Sequence, residues 1–305
     1  MISSFLRLAY RNLRRDLYSS FLYFLLLIVG ISSFAIILTI YNHEITYDKF
    51  LKDSDKIFRA TTYFVRGDQE VKWAITNGYL VTLLEDKIPE VERATKFQSI
   101  QSSLVIAGQN GKFDIPERQG FFTDPDFLEV LAYPLKYGNP KTALTEPRSI
   151  ILSEAYARRF FNREDVVGET IVLEFSGLEP ITLHITGVLE KIPSNSNLQF
   201  DMLVSRHPWG GWERYGDPEK GGWTTHVFFK TNGVSDTKLL SEKLEKETRR
   251  VYVDSNGEPD DIQYPIQRLT DIHFHGENLF EPGTPGNLLF VRILLAVGVV
   301  ILVIS

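Results

Sequence analysis

The stretch from Phe21 to Tyr41 carries no charge, and 14 of its 21 residues are Leu, Ile, Val or Phe. A helix of this length extends about 31 Å, which matches a bilayer hydrocarbon core of about 30 Å. A buried helix of a soluble protein rarely continues this far without a charged residue. The pattern therefore predicts a transmembrane helix over residues 21–41.

Residues 1–20 show a second helical pattern, with apolar residues on one side and arginines on the other. The apolar side comprises Ile2, Phe5, Leu6, Ala9, Leu13 and Leu17, and the basic side comprises Arg7, Arg11, Arg14 and Arg15. This layout is typical of a helix in the membrane interface, and a solvated basic flank is the alternative. Because the arginines precede the span, we expect the N-terminus to be cytoplasmic.

A secretory signal peptide is the main alternative for this region, since basic residues there precede an apolar run. The apolar core of a signal peptide, however, is only about half as long. A second apolar block at residues 288–305 also indicates a membrane protein, with Arg292 near enough to its start to reach the interface. We expect residues 288–305 to begin a second, truncated transmembrane helix and the sequence to be the N-terminal part of a longer protein.

Between the two apolar blocks, residues 42–287 are predicted to form a domain of mixed α and β structure. Two β-α-β units are expected, one near each end of this domain. The first consists of residues 57–65, 79–88 and 94–98, and the second of residues 223–231, 236–250 and 262–266. The helix of the second unit has Asp236 at its start and two arginines at its end, which match the helix dipole. The predicted fold class is α+β, a split sheet with helices on one face.

Short strands dominate the middle of the domain. Apolar and polar residues alternate over residues 181–185, residues 171–175 favour another strand, and Ser153 begins a predicted helix through Phe161. We therefore predict an inserted β-rich lobe over residues 108–222.

The charge of residues 42–287 limits the possible partners. This domain contains 28 basic and 38 acidic side chains, a net charge of −10. Such a charge repels phosphate backbones, so we do not expect nucleic acid as a partner. The sequence contains no cysteine, which excludes disulfides, thiolate catalysis and cysteine-based zinc sites.

No sequence pattern indicates an enzyme. The motifs GxxxxGK[ST], GxSxG and HExxH are absent. His273 and His275 would share one face if residues 272–274 were a strand, and with His226 they could bind a metal. Such a set without a carboxylate partner is uncommon. We therefore predict no catalytic residue, no cofactor and no metal ligand.

Two further groups of residues have open interpretations. Glu44 and Asp48 stand one helical turn apart after the predicted span, and we expect a solvated extension of that helix rather than a proton site. Trp209 and Trp212 lie in a Gly-rich loop over residues 206–222, where they either contact a partner protein or pack onto their own lobe.

Several blocks of the sequence resemble the MacB-like and FtsX-like permeases of ABC transporters. The chain opens with RLAYRNLRRDLYSSFLYFLLLIVGISSF and HEITYDKFLKDSDKIFRA. The later blocks are SIILSEAYARRFF, DVVGETIVLEF, ITLHITGVLEKIPSNSNLQFDMLVS and LTDIHFHG. The resemblance covers essentially the whole chain. It implies a protein of the cell inner membrane with a periplasmic core domain. In that domain a porter lobe, residues 42–107 and 223–287, is built from two β-α-β units, and the inserted lobe lies between them.

The resemblance also implies mechanotransmission. In this family a cytoplasmic ATPase dimerises on ATP, and a homodimer or heterodimer of permeases couples that closure to movement of the periplasmic domains. Members drive efflux, release lipoproteins or control cell-envelope enzymes, some with a periplasmic or outer-membrane partner. The family needs at least four spans and a cytoplasmic coupling helix, which fall beyond Ser305. A sensor or receptor with two transmembrane helices has the same layout and is the alternative function; a membrane-anchored enzyme is the third.

Overall fold

The computed structural model describes residues 17–100, 104–117, 119–174, 179–205, 222–233, 235–253, 261–276 and 278–305. Most of the predicted interfacial helix, residues 1–16, and the tryptophan loop, residues 206–221, lie outside these ranges. The chain divides into two compact units. Residues 1–46 and 286–305 belong to an apolar unit, and residues 47–285 form the core domain.

The described helices are α1 (Leu17–Ile45), α2 (Leu80–Lys87), α3 (Phe127–Val130), α4 (Glu154–Phe161), α5 (Thr237–Val251), α6 (Ile272–His275) and α7 (Leu288–Ile304). The first described strands are β1 (Ile57–Ala60), β2 (Thr62–Arg66), β3 (Gln69–Trp73), β4 (Thr76–Asn77), β5 (Val91–Ser99), β6 (Leu104–Gly108), β7 (Gly111–Ile115) and β8 (Gly120–Thr123). The remaining strands are β9 (Leu135–Gly138), β10 (Ser149–Ser153), β11 (Thr170–Glu174), β12 (Ile181–Leu189), β13 (Met202–Ser205), β14 (Trp223–Thr231) and β15 (Ile266–Arg268).

The apolar unit contains α1 and α7. By length and composition α1 can cross a membrane, and α7 is an apolar helix of 17 residues. Asn287 begins α7 by accepting a hydrogen bond from the N–H of Phe290 at 2.9 Å. The two helices pack where Gly298 meets α1, since a Cβ at Gly298 would lie 3.1 Å from the side chain of Ile37. A small residue at this position allows the close helix contact that is usual in membranes.

One end of the core sheet contains the two predicted β-α-β units. Its strand order is β15-β1-β14-β5, and each neighbouring pair is antiparallel. Strands β1 and β5 are therefore parallel to each other with β14 between them, and β14 and β15 are parallel with β1 between them. Because α2 connects β1 to β5 and α5 connects β14 to β15, the two units interlock. The predicted α+β fold class is confirmed.

Helices α2 and α5 contact each other and cover one face of these strands. Leu84 and Leu244 are both fully buried there, because one apolar stripe of each helix faces the sheet. The side chain of Asp236 accepts hydrogen bonds from the N–H groups of Lys238 and Leu239, so α5 begins where the sequence predicts.

Two predicted strands differ in the structure. The predicted strand over residues 57–65 divides at Thr61, and its second half, β2, leaves the main sheet to form a separate hairpin with β3. The strand predicted over residues 262–266 is instead β15, which begins at Ile266 because Pro265 has no N–H to donate. Upstream of it, Gln263 pairs with Tyr63 of the hairpin rather than with the main sheet.

The main sheet continues without a break into the inserted region. Strand β8 pairs antiparallel with β5 and parallel with β13, and the order then continues β13-β10-β12-β11-β6-β7. Among the described residues, 13 strands join this sheet. Helix α4 lies where the sequence predicts, with the Ser153 hydroxyl accepting a hydrogen bond from the N–H of Tyr156. Strand β6 pairs with β11 of the inserted region, although the predicted start of the inserted lobe, residue 108, is the last residue of β6. The boundaries of the two lobes remain a prediction.

Candidate functional site at the two linkers of the core domain

The N-terminal linker, residues 47–50, follows α1 and is fixed at Asp48. This residue is fully buried and its backbone is left-handed, with φ of 55°. Its carboxylate accepts hydrogen bonds from the Ser196 hydroxyl at 2.8 Å, from the Asn197 N–H at 3.0 Å and from the Asn197 side-chain amide. Its own N–H donates to the Asn195 carbonyl at 2.9 Å. Residues 193–198, the shared loop, thus provide the partners of the linker.

This geometry contradicts the expected solvated helical extension. Helix α1 ends at Ile45, and the left-handed backbone at Asp48 cannot continue a right-handed helix. A carboxylate removed from water requires donors, and the shared loop supplies them. Glu44, in contrast, is only half-buried and lies 3.6 Å from the ring of His43.

Burial changes the acid–base properties of the N-terminal linker and its surroundings. Loss of solvent raises the pKa of Asp48, while the hydrogen bonds from Ser196 and Asn197 act in the opposite direction. The Tyr133 hydroxyl lies 2.9 Å from the Ser196 hydroxyl, and burial raises the pKa of this tyrosine well above its usual value. The ring of Tyr47 stacks on the ring of His273, with centroids 3.4 Å apart. The N-terminal linker is therefore held by the hydrogen bonds to Asp48 and by the stacking of Tyr47 on His273.

The C-terminal linker, residues 279–285, precedes α7 and is fixed at Glu281. Both carboxylate oxygens of Glu281 accept hydrogen bonds from the guanidinium of Arg59, at 2.6 Å each. The Arg59 side chain is fully buried, and its Nε donates to the Gln267 side chain at 2.8 Å. The Asn278 amide donates a further hydrogen bond to Glu281 at 2.9 Å. A bidentate charged pair of this kind is both strong and directional.

The two linkers meet at the shared loop. If Gly283 of the C-terminal linker had a Cβ, that atom would lie 2.5 Å from the backbone carbonyl oxygen of Asn197. The same residue, Asn197, donates two hydrogen bonds to Asp48. One residue of the core domain therefore contacts both chain segments that lead to the apolar helices.

The histidines considered as metal ligands have other partners. Residues 272–275 are a helix, α6, so the strand geometry assumed for His273 and His275 is wrong. His226 stacks on Phe97 and its Nδ1 donates to the Ala74 carbonyl at 3.2 Å. Burial lowers the pKa of His226 to about 4, which keeps the ring neutral. Within the described ranges, no three histidine or acidic residues form a group that could hold a metal ion.

Asp124 is a further buried carboxylate that the sequence pattern did not indicate. It follows β8 and accepts hydrogen bonds from the Thr95 hydroxyl at 2.5 Å and the Lys96 N–H at 2.9 Å, both in β5. Burial, with a smaller effect of Asp126, raises its pKa to about 7. Asp124 therefore fastens the contact through which the sheet continues into the inserted region.

Neither Asp48 nor Arg59 was predicted to be functional. Arg59 stands within an apolar strand, IFRA, in which all four residues are buried, and a lone charge in such a strand is the available sequence signal. Asp48 gives no comparable signal, because it lies among five other charged residues between positions 44 and 55.

The family model of the MacB-like periplasmic core domain matches residues 20–247. The chain belongs to this family. The MacB-like resemblance of the sequence is thereby confirmed, and the chain contains the periplasmic domain of a permease in an ABC transporter family. Membership favours the permease interpretation over the receptor and the enzyme. Because α1 can cross a membrane, this MacB-like protein combines a membrane anchor with a core domain of the periplasmic family.

One solved structure shares this fold, and two others are more distantly similar. A domain from Porphyromonas gingivalis, described as part of a permease, has a TM-score of 0.60 at 20% identity, over 80% of this chain and 98% of that one. The periplasmic region of MacB from Actinobacillus actinomycetemcomitans has a TM-score of 0.45 at 15% identity, over 73% of this chain and 93% of that one. The extracellular domain of the ABC-type transporter YknZ from Gram-positive bacteria has a TM-score of 0.44 at 15% identity, over 68% and 98%. No curated protein matches the sequence significantly.

Proposed function

We propose that this MacB-like permease transmits ATP-driven motion from a cytoplasmic ABC-type ATPase to its periplasmic core domain. It would act in the cell inner membrane as a homodimer or heterodimer, with its N-terminus in the cytoplasm. Efflux, lipoprotein release and control of the cell envelope are the processes that such motion serves in the family. A periplasmic or outer-membrane protein would receive the motion.

The observation that carries this proposal is the fixation of both linkers by buried charged groups. A transmitter of motion needs connections that do not open under load. Removing one partner of a buried ion pair costs about 3–5 kcal/mol, so the pair of Arg59 and Glu281 strongly resists separation. Asp48 has a comparable set of three donors. If either linker were displaced, it would therefore stay attached to the core domain and move the sheet.

The charge distribution along the chain supports the proposed orientation. Four arginines precede α1, and the linker that follows it contains Asp48. Basic residues favour the cytoplasmic side of a span. The distribution supports an orientation in which the ATPase acts on the side of residues 1–20 and the core domain lies in the periplasm.

The proposal is tested in membranes that contain the permease, expressed from its own gene with ABC ATPases of the same organism. Lys141 and Lys246, exposed residues of the inserted region and of α5, are replaced by cysteine and spin-labelled. Residues 1–305 contain no other cysteine, and any cysteine elsewhere in the permease is replaced by serine. We expect an ATPase to co-purify and the distance between the labels to change between ADP and ATP with vanadate. If no ATPase co-purifies, or if the distance is the same in both states, the proposed function is wrong.

A further inference from the structure

The shared loop occupies a special position in the core domain. Residues 193–198 contact the N-terminal linker at Asp48 and the C-terminal linker at Gly283, and both contacts include Asn197. Asn197 is 5% exposed, so the surrounding protein restricts its movement. A displacement of either linker therefore reaches the same residue.

The chain beyond the shared loop leads into the middle of the sheet. Asp201 is four residues after Asn197, and β13 begins at the next position. The Asp201 N–H donates to the Gln119 carbonyl at 2.8 Å, directly before β8. The Asp201 side chain accepts a hydrogen bond from the Ser153 hydroxyl at 2.6 Å, and its carbonyl accepts one from the Ser153 N–H at 2.7 Å. Since Ser153 caps α4, Asp201 is hydrogen-bonded both to the start of β8 and to the start of α4 in the inserted region.

The space beside this route allows such a movement. A cavity of about 580 Å³ is lined by residues that include Gln199, Asp201 and, from the C-terminal linker, Pro282. Packed protein interiors transmit displacement but leave little room for it. The cavity therefore provides space into which the segment after the shared loop could shift.

We infer that the shared loop is the coupling element of the core domain, with Asn197 as its positioning residue. It receives displacement from both linkers and passes it through Asp201 to the inserted region. The inference rests on the proposed function, because it identifies where the transmitted motion enters the sheet. It adds that the two linkers act on the inserted region through one common point.

Two variants test the inference in the full-length permease with the label pair at positions 141 and 246. Gly283→Val drives a side chain into the Asn197 carbonyl, and Asn197→Ala removes one donor to Asp48 while retaining the backbone donor. Gly233→Val is the matched control, because a Cβ at Gly233 has no neighbour within 4 Å. We expect both test variants to bind the ATPase and to lose the nucleotide-dependent distance change, and the control to retain it.

The outcomes separate this inference from the proposed function. If the unsubstituted permease responds to nucleotide and both test variants respond equally, the shared loop is not the coupling element and the proposed function survives. If the unsubstituted permease does not respond to nucleotide, the inference and the proposed function are both wrong.

Hydrogen exchange of the same full-length variants provides a measurement independent of the ATPase. We expect Gly283→Val to accelerate exchange of the backbone amides of residues 197–205 at least about tenfold, the equivalent of one hydrogen bond to a charged group. Exchange in α5 should not change, which verifies that the fold is intact. Unchanged exchange at residues 197–205 would show that Gly283 does not hold the loop, and this would overturn the inference.

Discussion

The ion pair of Arg59 and Glu281 provides the sharpest test of how the C-terminal linker is fixed. The Arg59 side chain is fully buried and that of Glu281 is 9% exposed, so water cannot replace a missing partner. Arg59→Met keeps the length and most of the volume of the side chain but removes the charge. The Glu281 carboxylate then keeps the hydrogen bond from the Asn278 amide, and the side-chain carbonyl oxygen of Gln267 loses its guanidinium donor.

The expected loss of stability follows from these contacts. Breaking a buried ion pair from one side costs about 3–5 kcal/mol, of a total stability of about 5–15 kcal/mol for a domain. With a urea m value of about 3 kcal/mol per M, the unfolding midpoint should fall by about 1–1.7 M. Arg59→Met combined with Glu281→Leu removes both charges. Because an apolar replacement of a buried pair is often neutral, the double variant should recover most of this loss.

Urea unfolding of residues 47–285, followed by tryptophan fluorescence, measures these midpoints. The matched control is Arg250→Met, since the Arg250 side chain is 62% exposed and pairs with Glu247 at the surface. We expect this control to change stability by less than about 0.5 kcal/mol. The reasoning is refuted if Arg59→Met behaves like the control, or if the double variant loses as much stability as the two single variants together.

Three further predictions concern other parts of the molecule. Burial raises the pKa of Asp124 to about 7 from an ordinary 3.8, so the folded protein binds the Asp124 proton more tightly than the unfolded chain does. The contribution of Asp124 to the free energy of unfolding should therefore decrease by on the order of 4 kcal/mol as pH rises from 4 to 7. Asp124→Asn should remove this part of the pH dependence in urea titrations, and identical slopes for both proteins would contradict it. Gly298→Leu should destabilise the pair of α1 and α7 by about 1–3 kcal/mol in SDS titrations, whereas the exposed Val299→Leu should have little effect. In intact cells, Lys246→Cys should react with a membrane-impermeant maleimide and Ser3→Cys only after lysis; equal labelling of both would refute the proposed orientation.

The amino-acid sequence alone determined those elements whose signals are local. The uncharged run beginning at Phe21 predicts α1, since apolar length is a property of consecutive residues. Asp236 and Ser153 mark the starts of α5 and α4, because a helix cap bonds to N–H groups only two or three residues away. Pro89 and the alternation in residues 181–185 likewise act through near neighbours. For the same reason the two β-α-β units, and hence the α+β class, were predictable.

Only the tertiary structure decided which charged residues are buried and what holds them. Asp48 contacts residues almost 150 positions away, and Arg59 and Glu281 are 222 positions apart. In the sequence such residues resemble surface charges, because burial depends on which distant segments pack above them. The continuity of the sheet from β5 to β8 likewise depends on pairing between strands whose own sequences do not specify a neighbour. The contact of both linkers with Asn197 is a property of the folded chain, since it joins three segments that are far apart in sequence.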